Sequence, residues 1–551
     1  MTDLHKSRLF LWVLFILFTI AWFCVLDIRA LVPPDEGRYA EMAREMLASG
    51  DWITTRLNDI KYFEKPPFQT WMNALTFKLF GLGEWQARLW TGFAGFLAIV
   101  LVAYTGLKVF SARVGFYAAL VLGSSWFWVG ASQFNSLDMG VSGMMTLALC
   151  SLLIAQRDSA RTAERRNWML ACWAGMALAV LSKGPIGVVL PGAVIVIYTL
   201  VTRDWALWSR LHMGKGLLLF FAIAAPWFVL VSMKNPEFPH FFFIHEHVER
   251  FLLKTHHREG AWYYFFVILA GGMLPWISLI PQSLAKGWRS KPSSVFNPKL
   301  LLLIWAIFIF TFFSYSSSKL PGYILPIFPA MALLIAAHLE KASRRSRLVA
   351  AGTMSVLGIV GLVLAPKIAK LSTIPQEVPF FQAFQPWVMA ACFIALSGGL
   401  LSMLYTKQLR RDLSVFSLAI AGFISAQLLL AGYAPFGNYR TGMAMLPAIK
   451  GELTPQTKLY AVGKYDQSLT FHLRHPMVLA DYLDEFEFGL QQEPRLAVPT
   501  LDAFVDQWLN EPKALALASP KAFEELQKRG VPMRVVTQDA RRVLISNILN
   551  P

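Results

Sequence analysis

Long hydrophobic segments alternate with short polar ones over the first four fifths of the chain. Segments of about 18 or more apolar residues are long enough to cross the ~30 Å hydrocarbon layer as helices. Helix breakers and polar residues between them define about 13 predicted transmembrane helices, at 9–27, 87–108, 114–132, 139–156, 167–182, 185–201, 215–233, 262–283, 299–316, 321–338, 347–366, 385–405 and 413–433. The pattern predicts a polytopic α-helical membrane protein.

The pattern changes from about residue 436 onward. KLYAVG, ALALAS and RRVLISN are short apolar or β-branched segments typical of strands, and 499-PTLDAFVDQWLN-510 has the periodicity of an amphipathic helix. We therefore predict a transmembrane domain over residues 1–435 and a small soluble α/β domain over residues 436–551.

Two amphipathic helices are predicted in the long polar loop 28–86. Apolar residues from Tyr39 to Leu47 follow helical spacing, and Gly50 supplies a stop. A second apolar face runs from Phe68 to Leu79 and ends before Gly81. Both helices are expected to lie flat on the membrane surface, so that this loop and the loop 234–261 cover the outer face.

Charge sets the predicted orientation. The chain is 56% hydrophobic and only 15% charged, with a net charge of +17. Its Lys and Arg residues are spread over alternate loops instead of one basic stripe, which argues against nucleic acid and favours anionic membrane lipids as the counterpart. By the positive-inside rule the N-terminus is cytoplasmic, and both long loops and the C-terminal domain lie outside.

Carboxylates occur at two predicted outer boundaries. Asp35, Glu36 and Asp138 are the candidate catalytic residues. Asp35 and Glu36 stand where the chain leaves the first span, in 33-PPDEGRYAEMAREMLASGDW-52. One of them, Glu36 in particular, could instead cap the backbone amides of the helix that starts there. Asp138, in 134-FNSLDMG-140, falls at the membrane face, where a carboxylate is a functional-site hypothesis by default.

Cations accompany these carboxylates in the outward segments. Lys183 and Lys319 are nearly the only basic residues of their short loops, which favours contact with an anionic ligand, although a snorkelling lysine is an alternative. YFEKPP contributes the candidate binding residues Tyr62 and Lys65, and SKLPGY contributes Lys319 and Tyr323. The other candidate binding residues are Arg38, Lys183 and Arg250. Two carboxylates and several cations near a lipid-accessible boundary suit a lipid-linked phosphosugar.

Other residues of the outward loops could ligate zinc. Glu64 and the histidines of the second long loop, above all His245, are ordinary zinc ligands, but no HExxH spacing occurs. We expect any metal bound there to be non-catalytic and no cofactor to be required.

Several of these outward motifs resemble one known family. PPDEGRYAEMAREMLASGDW, YFEKPP, HFFFIHEHVERF, LPW at 274–276 and SKLPGYILP look like the lipid A aminoarabinose transferases, GT-C class relatives of protein O-mannosyltransferases. The resemblance implies transfer of 4-amino-4-deoxy-L-arabinose from undecaprenyl phosphate to a lipid A phosphate, at the periplasmic face of the bacterial inner membrane. Such transfer lowers the negative charge of lipopolysaccharide and gives resistance to polymyxin.

The resemblance also implies roles for individual residues. Asp35 and Asp138 become the important carboxylates, and Arg38, Lys65, Lys183 and Arg250 surround the donor or acceptor phosphate. His245 stands at a position not associated with the family motif. Two alternatives stay open at this stage: a protein O-mannosyltransferase acting on Ser/Thr hydroxyls, and a lipid transporter or flippase, although no inverted repeat is visible.

Overall fold

A computed structural model describes residues 3–249, 260–289 and 295–549 of the chain. The chain divides into two units. The helical unit comprises Met1–Leu26, Arg88–Leu371 and Phe384–Gly432, and the mixed unit comprises Asp27–Ala87, Ser372–Ala383 and Tyr433–Pro551. The loop 28–86, which we predicted as part of the 1–435 domain, therefore groups with the C-terminal residues.

Most of the chain is helical. Eight helices of the described ranges are long and apolar enough to cross a membrane: Glu84–Val109, Leu137–Ala155, Met213–Lys234, Pro298–Tyr315, Pro321–Glu340, Arg344–Leu371, Pro375–Lys407 and Arg411–Thr441. Two bent pairs raise the number to 10 if each is one span. These are Ala112–Ser124 with Trp126–Ser132, bent by 65°, and Tyr264–Gly272 with Ile277–Trp288, bent by 112°.

Every predicted span coincides with a helix or a bent pair. The three spans beyond those ten correspond to the shorter apolar helices Arg8–Phe23 and Ile186–Thr202 and to Thr162–Lys183, which carries charged residues at both ends. A multi-pass helical membrane protein is thus confirmed, while the number of crossings stays a prediction. Shorter helical segments are Leu4–Lys6, Leu207–Arg210, His240–Glu249, Met443–Met445, Leu446–Glu452, Asp484–Phe486 and Pro494–Leu496.

Caps and small residues explain how the helices begin and pack. Ser7 Oγ accepts the Phe10 N–H at 3.3 Å and Ser111 Oγ accepts the Val114 N–H at 3.1 Å, which satisfies amides that a helix leaves free in its first turn. Small residues let neighbouring helix backbones approach: a Cβ on Gly175 would lie only 2.7 Å from the backbone nitrogen of Ala148.

A six-stranded sheet forms the centre of the C-terminal part of the mixed unit. Its strands are β3 (Lys458–Val462), β4 (Val478–Ala480), β5 (Ala497–Val498), β6 (Ala514–Ala518), β7 (Arg534–Asp539) and β8 (Arg542–Ser546), in the order β5-β4-β3-β6-β8-β7. The first four strands of this order are parallel, and β8 and β7 are antiparallel to their neighbours. The helices Gln467–Leu473, Glu487–Gln492 and Leu501–Asn510 connect the parallel strands, and Pro520–Lys528 connects β6 to β7. The predicted α/β domain is confirmed.

The first outer loop forms the helices Asp35–Ser49 and Phe68–Phe80 and a hairpin of β1 (Arg56–Leu57) and β2 (Ile60–Lys61). Protein covers the apolar face of the first helix, so this face does not contact lipid, and the orientation of the helix to the membrane stays a prediction. The apolar face is buried against Phe68–Phe80 and Gln467–Leu473, in a core of Leu31, Ala40, Ala43, Met46, Ala74, Phe77, Ala87 and Phe471. Phe68–Phe80 keeps the exposed apolar side chains Leu75, Leu79 and Phe80, as expected for a surface that contacts lipid.

A buried ion pair joins the segment after β3 to the start of β8. Arg542 Nη2 lies 2.5 Å from Asp466 Oδ2, and both side chains are 1% exposed. We expect Arg542→Ala to destabilise the C-terminal domain by about 3–5 kcal/mol, because the Asp466 carboxylate would be left buried and unpaired. The measurement is protease susceptibility of the full-length protein at residues 446–549.

The control is Arg529→Ala, which removes exposed ion pairs with Glu525, at 2.9 Å, and with Asp502. Such surface pairs contribute about 0–1 kcal/mol. Equal protease resistance of the two variants would show that the buried pair does not stabilise the domain.

Candidate active site

Asp138 and Lys183 are in contact because they lie at adjacent ends of two antiparallel helices. Asp138 lies in the first turn of Leu137–Ala155, and Lys183 lies in the last turn of Thr162–Lys183. The short connection 156–161 makes these helices antiparallel neighbours of similar length. The Lys183 ammonium and the Asp138 carboxylate form an ion pair, with the two side chains 14% and 23% exposed.

Tyr323 completes this cluster in the helical unit. The Lys183 Nζ lies 4.9 Å from the centroid of the Tyr323 ring, within the range of a cation–π contact. The neighbouring Gly322 is required here, because a Cβ on it would lie within 2.3 Å of the Asp138 carboxyl carbon. The structure therefore joins three of the predicted site residues, Asp138, Lys183 and Tyr323, in one contact group.

Lys319 makes different contacts. Its Nζ donates to the Ser314 carbonyl at 2.8 Å and lies 5.9 Å from the centroid of the Phe265 ring. The lysine thus satisfies a carbonyl at the end of the Pro298–Tyr315 helix, which is the kind of contact expected at a helix C-terminus. Its predicted role in phosphate binding stays a prediction.

Asp35 and Arg38 form the centre of a second cluster, in the mixed unit. Both lie in the first turn of Asp35–Ser49, and Arg38 Nη1 donates to Asp35 Oδ1 at 2.8 Å. Arg38 Nε also lies 2.6 Å from Glu485 Oε2, and its guanidinium carbon lies 6.0 Å from the centroid of the Tyr62 ring. The Asp35 side chain is 56% exposed, whereas that of Arg38 is 15% exposed, so the carboxylate is the accessible end of a held pair.

Glu485 belongs to this cluster and was missed by the sequence analysis. Its carboxylate accepts the Gln467 amide at 2.6 Å and the Tyr62 hydroxyl at 3.3 Å. Burial raises the pKa of Glu485, and the positive charge of Arg38 opposes that rise. The signal available in the sequence was the acidic segment 481-DYLDEFEFG-489, but nothing in the sequence links it to Arg38.

Tyr62 is a buried and neutral donor in this cluster. Burial raises the pKa of its hydroxyl well above the ordinary value, and the negative charge of Glu64 acts in the same direction. The neutral phenol therefore persists at physiological pH. It donates to Glu485 and keeps its ring beside Arg38.

Glu36 and Lys65 are held by local backbone contacts. Glu36 is 2% exposed, and its Oε2 accepts the Val32 N–H at 2.9 Å. A hydrogen bond from a backbone amide agrees with the alternative role given for Glu36, that of capping backbone amides. The catalytic role of Glu36 stays a prediction. Lys65, three residues after Tyr62, donates from Nζ to the Glu64 carbonyl at 2.8 Å.

Charged residues behind Asp35 anchor its helix. Arg44 Nε and Nη2 each donate to the Glu41 carboxylate at 2.7 Å, and Glu45 accepts the Asp59 N–H at 3.0 and 3.1 Å. Burial raises the pKa of Glu45 well above its usual range, and the charge of Glu41 adds to this rise. The contact of Glu45 with the Asp59 N–H holds the helix that carries Asp35 and Arg38 against the hairpin, whereas the Arg44–Glu41 pair lies within the helix itself.

The predicted zinc ligands belong to different units, Glu64 to the mixed unit and His245 to the helical unit. In the part of the chain that the structure describes, Asp3, His5 and Asp412 form the one group of three or more acidic, His or Cys side chains close enough to share a metal ion. Arg113 and Tyr117 already contact that group. Zinc at Glu64 and His245 stays a prediction, and Arg250 lies outside the described residues.

The chemistry of the two clusters is clear from their donor groups. In one cluster Asp138 pairs with Lys183, which lies over the Tyr323 ring. In the other, Arg38 pairs with the carboxylates of Asp35 and Glu485 and lies beside the Tyr62 ring. Cations bind phosphate oxygens, and an accessible carboxylate stabilises a developing positive charge or an ammonium group. This combination fits a reaction that breaks and forms glycosyl phosphate bonds.

Two family models match the chain. The aminoarabinose transferase C-terminal domain matches residues 445–547, and the dolichyl-phosphate-mannose-protein mannosyltransferase model matches residues 7–242. An undecaprenyl phosphate-α-4-amino-4-deoxy-L-arabinose arabinosyl transferase of Erwinia tasmaniensis is 34% identical, over 69% of this chain and 72% of that protein. The chain belongs to this arabinosyl transferase family. A family protein of Serratia proteamaculans is 30% identical over 90% of this chain and 89% of its own length.

A solved structure that matches almost the whole length of this chain supports membership of the arabinosyl transferase family. The crystal structure of ArnT from Cupriavidus metallidurans bound to undecaprenyl phosphate is 41% identical, with a TM-score of 0.93 over 98% of this chain and 99% of that one. The Archaeoglobus fulgidus oligosaccharyltransferase matches with a TM-score of 0.50 at 13% identity, which shows a shared fold alone.

Family membership decides between the classes that the sequence left open. The chain is a GT-C glycosyltransferase, as predicted, and an enzyme, so the transporter alternative is set aside. A multi-pass membrane protein is likewise confirmed.

Proposed function

We propose that this arabinosyl transferase moves 4-amino-4-deoxy-L-arabinose from undecaprenyl phosphate to a phosphate of lipid A. The observation that carries the proposal is the match over nearly the whole chain to an ArnT structure with undecaprenyl phosphate bound. The names of the relatives supply the sugar and its carrier. Lipid A as acceptor follows from the family resemblance of the outward motifs.

The reaction takes place at the periplasmic face of the bacterial inner membrane. Alternate loops carry most of the Lys and Arg residues, which supports a cytoplasmic N-terminus under the positive-inside rule. Asp35, Asp138 and the C-terminal domain then lie on the periplasmic side. There the product's added ammonium group lowers the negative charge of lipopolysaccharide and gives resistance to cationic peptides such as polymyxin.

The acceptor phosphate makes a strong general base unnecessary. A phosphate monoester carries at least one negative oxygen at pH 7, since its second pKa is about 6. That oxygen forms the new bond to the anomeric carbon of the sugar. The bond between this carbon and the undecaprenyl phosphate oxygen breaks, and the leaving phosphate keeps the electron pair.

The cations of the site stabilise both phosphates. Lys65, Lys183, Arg38 and Arg250 are assigned to hold the leaving undecaprenyl phosphate and to bring the acceptor phosphate to the anomeric carbon, with Lys319, Tyr62 and Tyr323 as further binding residues. Fixed charges and donors of this kind need no reorganisation as negative charge moves to the leaving group. They take the place that a metal ion has in other phosphate-dependent enzymes.

The carboxylates act on the sugar. Asp35, the exposed member of the Asp35–Arg38 pair, stabilises positive charge that develops on the anomeric carbon, or binds the ammonium group of the sugar. Asp138 orients the sugar while its own position is set by Lys183 and by the absence of a side chain at Gly322. Glu485, through Arg38, holds Asp35 in place.

Transfer to lipid A is tested with purified protein in liposomes that contain undecaprenyl-phospho-aminoarabinose and lipid A. Mass spectrometry should show lipid A with one added aminoarabinose residue, and protein-free liposomes should show none. No mass gain with well-folded protein would contradict the proposal.

Protein O-mannosylation is the second candidate, because residues 7–242 match the protein mannosyltransferase family model. Its test uses a polyprenyl phosphomannose donor and a Ser/Thr peptide in the same liposomes. A glycosylated peptide would favour this candidate, and an unmodified peptide together with modified lipid A would exclude it.

Lys65→Ala is expected to weaken binding of undecaprenyl phosphate by about 10–100-fold, because a charge-assisted contact to phosphate contributes roughly 1.5–3 kcal/mol. Isothermal titration with undecaprenyl phosphate in detergent measures the dissociation constant. The matched control is Lys78→Ala, which removes an exposed cation of the Phe68–Phe80 helix. Equal dissociation constants for wild type and Lys65→Ala would exclude the assigned contact.

Transfer is expected to continue after treatment with EDTA, because the cations provide the stabilisation that a metal would otherwise supply. The rate of aminoarabinose transfer should change less than about twofold, in line with a bound zinc of no catalytic role. Glu64→Gln and His245→Ala should then also retain transfer. Loss of activity in EDTA that added zinc restores, together with loss in both variants, would require a catalytic metal.

A further inference from the structure

An apolar cavity of about 530 Å³ lies within the helical unit. Its walls come from the helices Arg8–Phe23, Glu84–Val109, Ala112–Ser124 and Arg411–Gly432. Among the described residues, its lining includes none of those assigned to sugar transfer. The cavity therefore needs an explanation of its own.

The lining of the cavity is almost entirely apolar and leaves a volume that the side chains do not fill. The lining includes the small residues Ala103, Gly115 and Ala119 and the rings of Phe18, Phe96 and Phe416. Protein interiors are normally packed without voids of this size, and 300–1,000 Å³ is the range of ligand-binding cavities. Apolar cavities do not hold ordered water, because water needs two to four polar partners. The apolar lining therefore favours a hydrocarbon ligand.

The cavity opens to the surrounding hydrocarbon. Four of its lining side chains are also exposed on the helical unit: Phe15 at 43%, Val100 at 41%, Leu107 at 47% and Ile420 at 37%. A lipid chain can thus enter sideways from the membrane without crossing a polar layer.

The depth of the cavity matches one leaflet. It follows the helix Ala112–Ser124 from Ala112 to Ser124, a rise of about 18 Å at 1.5 Å per residue. That is a little over half of the ~30 Å hydrocarbon layer. An acyl chain of a phospholipid has this reach, whereas a polyprenyl chain that spans the layer exceeds it.

One end of the cavity is polar and carries positive charge. His5 lines this end, and its Nδ1 lies 2.8 Å from Asp412 Oδ2. Lys6 and Arg8 are exposed next to His5 in sequence, and Lys6 also pairs with Asp3 at 2.7 Å. Lys108 is exposed and follows the lining residue Leu107. The Lys108 Nζ lies 5.4 Å from the centroid of the Tyr104 ring, which lines the cavity. Exposed lysines and arginines at the end of a membrane helix attract anionic lipid headgroups.

We infer that this cavity binds one acyl chain of an anionic phospholipid, with the headgroup beside Lys6, Arg8 and Lys108. The binding site is independent of the sugar transfer assigned to Asp35 and Asp138. In the orientation proposed above it belongs to the cytoplasmic leaflet. The bound lipid then restores the packing that the helix Arg8–Phe23 lacks on this side.

The test uses full-length protein in nanodiscs that contain phosphatidylglycerol with a diazirine on one acyl chain. After irradiation, mass spectrometry identifies the labelled peptides. We expect label on peptides that contain Phe15, Phe96 or Phe416. Phosphatidylglycerol should label them more strongly than phosphatidylcholine, by about fivefold for each cation that contacts the headgroup.

Two sets of variants separate the chain site from the headgroup site. Ala119→Phe fills the cavity and should remove the label, whereas Leu218→Phe, at a 73% exposed position outside the cavity lining, should not. The triple variant Lys6→Gln, Arg8→Gln and Lys108→Gln leaves the core unchanged and should remove the preference for phosphatidylglycerol while label remains.

Three outcomes would overturn the inference. Label spread evenly over all lipid-facing helices would show no specific site. Label unaffected by Ala119→Phe in folded protein would place the lipid elsewhere. Stronger labelling of the same peptides by a diazirine-bearing undecaprenyl phosphate than by phosphatidylglycerol would make a polyprenyl chain the occupant.

Discussion

Replacing Asp35 with asparagine is expected to lower kcat for aminoarabinose transfer by about 10²–10³-fold, the loss typical when one fixed electrostatic contact to a transition state is removed. The carboxylate is the exposed end of the Asp35–Arg38 pair, so its charge is available to the sugar. Asparagine keeps the size of the side chain and removes the charge that stabilises the anomeric carbon or the sugar ammonium. Single-turnover transfer to lipid A in liposomes measures the effect.

The matched control for this prediction is Asp59→Asn. Asp59 is 51% exposed and pairs with Arg495 at 2.7 Å, so the change removes a surface ion pair of the same unit at little expected cost. Undecaprenyl phosphate should bind Asp35→Asn normally. Near-full transfer by Asp35→Asn with donor bound would refute the assigned role.

Replacing Lys183 with alanine is expected to reduce transfer by about 10²–10³-fold, because the change removes a cation assigned to phosphate and leaves Asp138 without its ion-pair partner. Asp138→Asn alone should also reduce transfer, since the sugar loses an orienting carboxylate. If the two side chains act as one unit, the double variant should lose less than the product of the two single losses, with a coupling of about 1–3 kcal/mol.

Lys215→Ala is the matched control, since Lys215 is an exposed cation near the start of the Met213–Lys234 helix. Thermal melting of each variant in detergent confirms that it is folded. Losses that simply multiply in the double variant would show that Asp138 and Lys183 act separately, in spite of their ion pair.

Hydrophobic pattern alone was enough to predict the helical membrane fold. Every predicted span coincides with a helix or bent pair, because an apolar run of about 18 or more residues satisfies its backbone groups as a helix. The strands KLYAVG, ALALAS and RRVLISN were likewise predictable, and they form β3, β6 and β8. Local pattern was sufficient in these cases because local hydrogen bonding and burial decide the element.

The environment of an apolar face could not be predicted in the same way. The spacing from Tyr39 to Leu47 indicated an amphipathic helix but not what covers it, and protein instead of lipid buries that face. Periodic apolar residues indicate only that one face of the helix is buried away from water. The partner helix Gln467–Leu473 lies far along the chain, so no local pattern identifies it.

The candidate site shows the same division. Asp138 and Lys183 were both predicted as outward residues, and their pairing follows from the antiparallel arrangement of two consecutive helices. Glu485 was missed, because its contact with Arg38 depends on how the acidic segment after β4 folds back against the first outer loop. Residue types and local spacing identify candidate groups, whereas contacts distant in sequence decide which groups are held together.

Acceptor choice tests the central claim most directly, namely that the transferase uses an acceptor phosphate and no strong base. Wild-type protein in liposomes would receive undecaprenyl-phospho-aminoarabinose with lipid A, with dephosphorylated lipid A, or with a Ser/Thr peptide, and mass spectrometry would read each acceptor. The account predicts one added aminoarabinose on phosphorylated lipid A and none on the other two. Transfer to the dephosphorylated lipid or to the peptide would contradict it.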